Sequence, residues 1–274
     1  MSPTGTQIGA SRVLAGMGAA AHAGVRTAGG MWLLLRRALG WMALGLAGRA
    51  RMPWAAALGQ MVRVGVKSLP IVCLSNLFVG MILAVSMADI LRSFNMEARV
   101  AQLVAIAMTR ELAALMTAIV MSGYVGAAMA AELGTMTVNE EVMALETSAM
   151  NPLRFLVVPR LLAVMVMMPC LTTVAYYMGM SGGYLVGVHL LGIGSAQYIE
   201  INNSAIAMRD VLNSLIKAEA FGIIITVVAC YEGLTVTGGA EGVGRATTRA
   251  VVLSVFSIIA ANLFFATVFN YMLI

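Results

Sequence analysis

Charge is what this sequence has least of. Only 11% of its 274 residues are Asp, Glu, Lys or Arg, against about a quarter in soluble domains. Hydrophobic residues make up 61% and the mean hydropathy is +0.92. A water-soluble fold of this size cannot hide that much apolar surface, so a multi-span membrane protein is expected. Acids are scarcest at the start. Arg12, Arg26, Arg36, Arg37, Arg49, Arg51, Arg63 and Lys67 all precede the first acid, Asp89. Positive charge marks cytoplasmic ends, which assigns the N-terminal end to the cytoplasm. Residues 1–30 lack the compact apolar core of a secretory signal and read as a loosely ordered tail.

Other scarcities exclude other functions. Aromatics are 7% of the chain and do not interleave with the basic residues, so the net charge of +5 does not read as nucleic-acid binding. His22 and His189 have no Cys, Asp or Glu at ligand spacing, which excludes a metal site read from spacing. Cys73, Cys170 and Cys230 sit singly in apolar runs and read as small buried hydrophobes. No Ser/His/Asp set or carboxylate pair stands out, so no enzyme is expected. The Gly-rich run 238–244 lacks the Lys-Ser/Thr ending of a phosphate loop, so no ATP site is expected either. Alternating ten-residue strands are missing, which favours helices over a barrel.

What the chain does have is long apolar runs. Residues 31–47 form a short amphipathic stretch, with Arg36, Arg37 and Gly40 on one strip and Trp32 and Trp41 suited to headgroup level, and predict an interfacial helix. A basic, proline-marked linker follows at 49–63. Five spans are predicted at about 67–88, 100–131, 155–188, 210–231 and 250–274. Residues 189–209 form an external loop and 232–249 a Gly-rich cytoplasmic loop. Pro159 and Pro169 are candidate kinks in the third span. The C-terminus falls on the far side.

Between the second and third spans lies a polar island, with Glu132, Glu140, Glu141 and Glu146 inside oily sequence. Thr137-Val138-Asn139-Glu140 fits a capping box, and Asn151-Pro152 supplies a stop, predicting a helix over 137–150. Val138, Val142, Leu145 and Ala149 make one apolar stripe, with Glu141 and Glu146 beside it. The stripe reads as a docking face for a partner protein, because an acidic helix suits an anionic leaflet poorly. The plainer reading is an interfacial connector between spans.

Arg110-Glu111 lies inside the second span, where charges cost at least ~2.5–3.5 kcal/mol each unless paired or hydrated. Each needs a partner on another helix or a wet cavity, and both readings stand. Asp210, Asn213, Ser214 and Lys217 share one face of the fourth span, with Glu219 on another. Ser122, Gly126, Ala130, Gly134 and Gly179, Gly183, Gly187 repeat every four residues and read as helix-packing ladders.

These residues also carry a resemblance. Arg110-Glu111-Leu112, Ser122-Gly123-Tyr124-Val125-Gly126-Ala127-Ala128, Ala131-Glu132-Leu133-Gly134-Thr135-Met136, Glu140-Glu141, Ala144-Leu145-Glu146, Asn151-Pro152 and Val157-Val158-Pro159-Arg160 closely resemble the MlaE/YrbE family of ABC-transporter permeases. The likeness continues through Asp210, Leu215-Ile216-Lys217, Phe221-Gly222 and Gly244-Arg245-Ala246-Thr247-Thr248, and covers about residues 60–274. It implies an all-α permease domain over 63–274 behind an N-terminal tail and interfacial helix over 1–62. It implies a homodimer in the bacterial inner membrane and a separate cytoplasmic ABC ATPase that holds ATP and Mg. Periplasmic MCE-domain subunits and a small STAS-type cytoplasmic subunit are further implied partners. The implied cargo is phospholipid or a related lipid, in a system serving outer-membrane lipid asymmetry.

The resemblance also implies site residues. Glu132, Thr137, Glu140, Glu141, Val142, Leu145 and Glu146 fall on the family's coupling helix. Position in the spans, not the resemblance, makes Asn76, Phe78, Val79, Arg110 and Glu111 candidates for a lipid cavity, and helical spacing puts Asp210, Asn213 and Lys217 on the intramembrane polar face. The chain departs from the family at Ala113-Ala114, where Gly-Pro is common, at Tyr124, where Arg is common, and at Asn151, where Asp is frequent. An ion-coupled secondary transporter using Arg110, Glu111, Asp210, Lys217 and Glu219 is the alternative, although no inverted repeat is visible. A non-transporting scaffold is a third reading.

Overall fold

The computed structural model describes residues 5–46, 53–94 and 96–271. Among the described residues there is no strand, and five helical rods are long and apolar enough to cross a bilayer. They are Trp54–Arg92, Arg99–Val138, Leu153–His189, Met208–Leu234 and Gly239–Phe269. The chain is an all-α, multi-pass membrane protein.

The rods are longer than the apolar runs because polar ends join them. Before the first, α1 (Gly5–Leu46) is one continuous helix rather than a loose tail followed by an interfacial segment. No proline falls within it, and alanine, the best helix former, is frequent. Leu34, Ala38 and Met42, spaced by four, are its buried positions, while Arg36 and Arg37 are exposed. Most of the expected linker is also helical, as α2 (Trp54–Val64) starts directly after Pro53. A single 3₁₀ turn, Val66–Ser68, joins α2 to α3 (Leu69–Arg92). Pro70, in the first turn of α3, brings no amide to this junction. The Ser68 hydroxyl donates instead to the carbonyls of Val64 and Gly65.

The second rod is built from α4 (Arg99–Ala107), α5 (Ala113–Met121) and α6 (Ala127–Val138). Two π-helical turns, Met108–Leu112 and Ser122–Gly126, separate them. A short α7 (Glu141–Thr147) follows, then a third π-turn, Leu153–Val157, leading into α8 (Val158–His189). Pro159 sits harmlessly in the first turn of α8, which continues through Pro169. The expected external loop contains α9 (Ser195–Ala205), anchored by Tyr198, which is 1% exposed. Burial pushes the Tyr198 phenol up to about 12, so it stays protonated. The expected cytoplasmic loop shrinks to four residues between α10 (Met208–Leu234) and α11 (Gly239–Tyr271). Gly238 and Gly239 turn the chain there at φ +93° and +65°, a region open to glycine without strain.

Packing depends on close backbone approach. A Cβ added to Gly80 of α3 would lie 1.9 Å from the Gly179 carbonyl oxygen of α8, and one on Gly182 would lie 2.1 Å from the Leu77 carbonyl oxygen. Gly183 and Gly187 leave room for the Tyr198 ring. Gly126 and Gly134 face Ile225 and Val236, and Ala130 lies against Gly233, so that ladder seats α6 on α10. Both ladders therefore pack within the protomer. Gly80→Ala should push α3 off α8 and cost about 1–3 kcal/mol. Gly59→Ala, with nothing within 4 Å, should not. Thermal unfolding of the purified variants in detergent distinguishes the two.

Candidate functional site

The polar island folds into a corner followed by a short strut. α6 runs through Thr137, whose hydroxyl donates to the carbonyls of Leu133 (2.8 Å) and of Gly233 on α10 (3.2 Å). The expected capping box does not form, because that hydroxyl is already engaged. The chain instead turns at Glu140, which takes φ +61°, a left-handed conformation uncommon for a side chain of this size. α7 then makes two turns, over Glu141–Thr147, instead of the helix expected over 137–150. It ends in a Schellman arrangement in which the Met150 amide donates to the Leu145 carbonyl and the Ala149 amide to the Glu146 carbonyl, both at 3.0 Å. Asn151 is not the stop. Its Oδ1 accepts from the Leu153 amide at 3.0 Å and starts the next rod, with Pro152 beside it.

The break at Glu140 decides which side of α7 faces out. Val142 and Leu145 turn inward onto a cluster containing Leu34 and Ala38 of α1, Leu133 of α6 and Leu156. Val142 and Leu145, the middle of the apolar stripe expected to dock a partner, are therefore the strut's own anchor, while Val138 and Ala149 at its ends stay exposed. The outer surface carries Glu140, Glu141, Met143 and Glu146, all exposed, with Met143 at 60%. Sequence reasoning missed Met143, since it treated 137–150 as one helix and followed the stripe across the corner.

Glu132 belongs to α6 rather than to the strut. Its Oε2 accepts from Arg63 Nη1 at 2.7 Å and lies 3.1 Å from Arg160 Nη2. Arg160 is 5% exposed at its side chain and also donates to the Leu156 carbonyl. One carboxylate thus ties α2, α6 and α8 together next to the corner. Spacing gives no signal for this, because the three residues lie far apart in sequence.

A second polar group lies towards the opposite end of the second rod. The π-turn Met108–Leu112 carries Arg110 and Glu111 to α10. Arg110 Nε sits 3.0 Å from Asp210 Oδ2. Lys217 Nζ donates to Glu111 Oε1 at 2.5 Å and to the Arg110 carbonyl at 3.2 Å. Phe269 of α11 lies 6.0 Å from Lys217 Nζ. Asp210 and Lys217 are seven residues apart, so the pairs extend about 10 Å along α10. Exposure falls inward, from 53% for Arg110 to 3% for Lys217. Two cations face two carboxylates, which meets the condition for charge within a span. The cleft they share with Asn213 holds about 20 Å³, room for one water-sized group and not a lipid headgroup. Glu219 stands apart, its Oε2 buried without a hydrogen-bond partner.

The remaining cavity candidates separate. Asn76 is fully buried, donating to the Val72 carbonyl at 2.9 Å and to Thr117 at 3.5 Å, so it joins α3 to α5. Val79 is partly buried against the core, whereas Phe78 is 49% exposed on the outer face of α3. Among the described residues no group of His, Cys, Asp and Glu could hold a metal.

Residues 57–268 match the family described as Permease MlaE. The chain belongs to the MlaE permease family. It is 39% identical to a probable ABC transporter permease protein of Rickettsia typhi over 203 residues, covering 74% of this chain and 78% of the relative. It is 38% identical to the intermembrane phospholipid transport system permease protein MlaE of Haemophilus influenzae over 194 residues, 70% of this chain and 74% of the relative. It is 34% identical to the chloroplastic protein TRIGALACTOSYLDIACYLGLYCEROL 1 of Arabidopsis thaliana over 221 residues, 81% of this chain and 63% of that one. The match spans all five rods and includes the strut and the charge cluster. An MlaE permease is the membrane component of an ABC transporter and not itself an enzyme.

Proposed function

We propose that this permease moves phospholipid, or a related lipid, between the bacterial inner membrane and periplasmic MCE-domain carriers. A separate ATPase, holding ATP and Mg, drives it from the cytoplasm. The observation that carries this reading is the outward surface of α7, an acidic rim around Met143 that the chain leaves exposed while anchoring its back. The lipid is carried over from the Haemophilus influenzae relative, an intermembrane phospholipid transport system permease. The basic N-terminal end and the α7 corner lie on the cytoplasmic side in this reading, with the C-terminus periplasmic. The permease domain is assigned to 63–274 in this reading, behind an N-terminal segment over 1–62 that carries the long helix α1.

The geometry suggests how force would travel. Two non-glycine residues with positive φ, Glu140 and Ala149, bracket α7. A pull on its outer face acts on Val142 and Leu145, and through them on α1, α6 and the start of the third rod. The Glu132 node passes the same displacement to α2 and α8. Since α8 is locked to α3 at Gly80 and Gly182, the first rod moves with it. Two copies would enclose a lipid path between them. The exposed apolar outer faces of α3, including Phe78, and of α11, including Phe256 and Leu263, are its candidate walls. Arg110, the most exposed member of the charge cluster, is the group best placed to meet a headgroup. A small STAS-type subunit would bind on the ATPase side.

The test is co-purification followed by reconstitution in phospholipid vesicles. The expected result is an ABC ATPase bound to the permease, with hydrolysis that rises when lipid is supplied. Lipid movement that persists without ATP and needs a proton gradient would contradict the proposal.

A further inference from the structure

A cavity of about 340 Å³ opens between α2 and the second rod, beside the Glu132 node and separate from the Arg110 cluster. Gln60, Arg63, Lys67, Tyr124, Ala128 and Glu132 contribute to its wall. Val125 and Met129 give it an apolar floor. Its volume falls within the range of small-ligand pockets, about 300–1,000 Å³.

The charge around it does not balance. Arg63 and Arg160 share the single carboxylate of Glu132. Lys67, one turn beyond Arg63 and exposed, adds a further cation. The wall thus carries two cations and one carboxylate, and that carboxylate is already shared with Arg160 behind it. Gln60 Oε1 is buried in the same wall with no hydrogen-bond partner, an acceptor waiting for a donor. The side chains along α2 point to a bilayer boundary for this cavity. Trp54, Leu58 and Val62 expose an apolar face along α2, and the tryptophan ring marks headgroup depth. A basic pocket between spans at that depth is suited to an anionic lipid headgroup.

We propose that this cavity binds one anionic phospholipid, drawn from the leaflet on the α7 side, as a site distinct from any transported lipid. Arg63 and Lys67 take the phosphate, Gln60 Oε1 accepts from a headgroup hydroxyl, and Val125 and Met129 meet the glycerol and first methylenes. Tyr124, which stands where the family commonly has Arg, places a phenol rather than another cation at this wall. The bound lipid bridges α2 to the second rod next to the coupling corner.

Native mass spectrometry of the full-length permease complex, titrated separately with phosphatidylglycerol, phosphatidylcholine and inorganic phosphate, tests this. The wild type should hold one phosphatidylglycerol per permease protomer, about tenfold more tightly than phosphatidylcholine. Lys67→Gln should weaken the phosphatidylglycerol about fivefold. Ala128→Leu, which narrows the cavity and leaves every charge in place, should weaken it as much. Arg99→Gln, a cation at the opposite end of the second rod, should leave it unchanged. Inorganic phosphate should not displace the lipid. Unchanged binding in both cavity variants, no preference over phosphatidylcholine, or displacement by phosphate overturns the proposal. The Lys67 and Ala128 variants should keep their ATPase, so failure here is distinguishable from failure of the permease reading, on which only the sidedness of this site rests.

Discussion

Lys217→Met is expected to destabilise the permease by about 3 kcal/mol. Breaking a buried ion pair by removing one partner costs about 3–5 kcal/mol, because the other charge stays behind without compensation. Lys217 is 3% exposed, but the Glu111 carboxylate it serves is one-third exposed, which keeps the loss at the low end. Glu111→Gln in the same chain removes the stranded charge and should restore most of the stability. A double-mutant cycle on thermal unfolding in detergent should therefore give a coupling of at least ~1 kcal/mol. Additive losses would show that the two groups do not interact. Asp210→Asn should cost much less, about 0–1 kcal/mol, since its partner Arg110 is 53% exposed. The rescued double variant should fold yet transport poorly, because the gradient of charge that leads inward from Arg110 has lost its inner pair.

Met143→Arg should weaken the association with the ATPase by about 10- to 100-fold while leaving thermal stability unchanged. Central, exposed contacts carry most of an interface's energy, about 2 kcal/mol or more each, and the long apolar side chain of Met143 sits inside an acidic rim. At 60% exposure it contributes little to the fold itself. Val142→Arg and Leu145→Arg should behave in the opposite way. Both side chains are partly buried against the cluster that contains Leu34 and Leu156, so a guanidinium there would be partly desolvated and would lower stability before any docking is measured. Binding and melting recorded on the same preparations separate these cases. Equal effects at 142, 143 and 145 would mean that the outer face of α7 has no special role.

The five rods could be read from apolar runs because nothing but a bilayer accommodates so much of that surface in helices. The Arg-Glu pair was legible for the same reason, as charge inside a span demands a partner. Which partner each takes was not legible. Arg110 meets Asp210 and Glu111 meets Lys217 through a π-turn that no local pattern announces. The capping box failed for a nonlocal reason too. Thr137 has the right neighbours in sequence, yet a carbonyl 96 residues away, on Gly233, receives its hydroxyl and keeps α6 helical past the expected start. Once Glu140 takes a left-handed conformation, Val138 and Val142 no longer share one helix, and the stripe that looked continuous belongs to two elements. The glycine ladders show the reverse. Their spacing was visible, and packing within the protomer accounts for both.

The central claim is that the outer face of α7 is where an ATPase grips this permease. A photo-crosslinking amino acid placed singly at 142, 143 and 146 in the purified complex tests it most directly. Crosslinks from 143 and 146 to a nucleotide-binding subunit are expected, and none from 142, which packs inward on the protomer's own apolar cluster. Crosslinks to that subunit from 142 alone, or from none of the three while the ATPase remains bound, would contradict it.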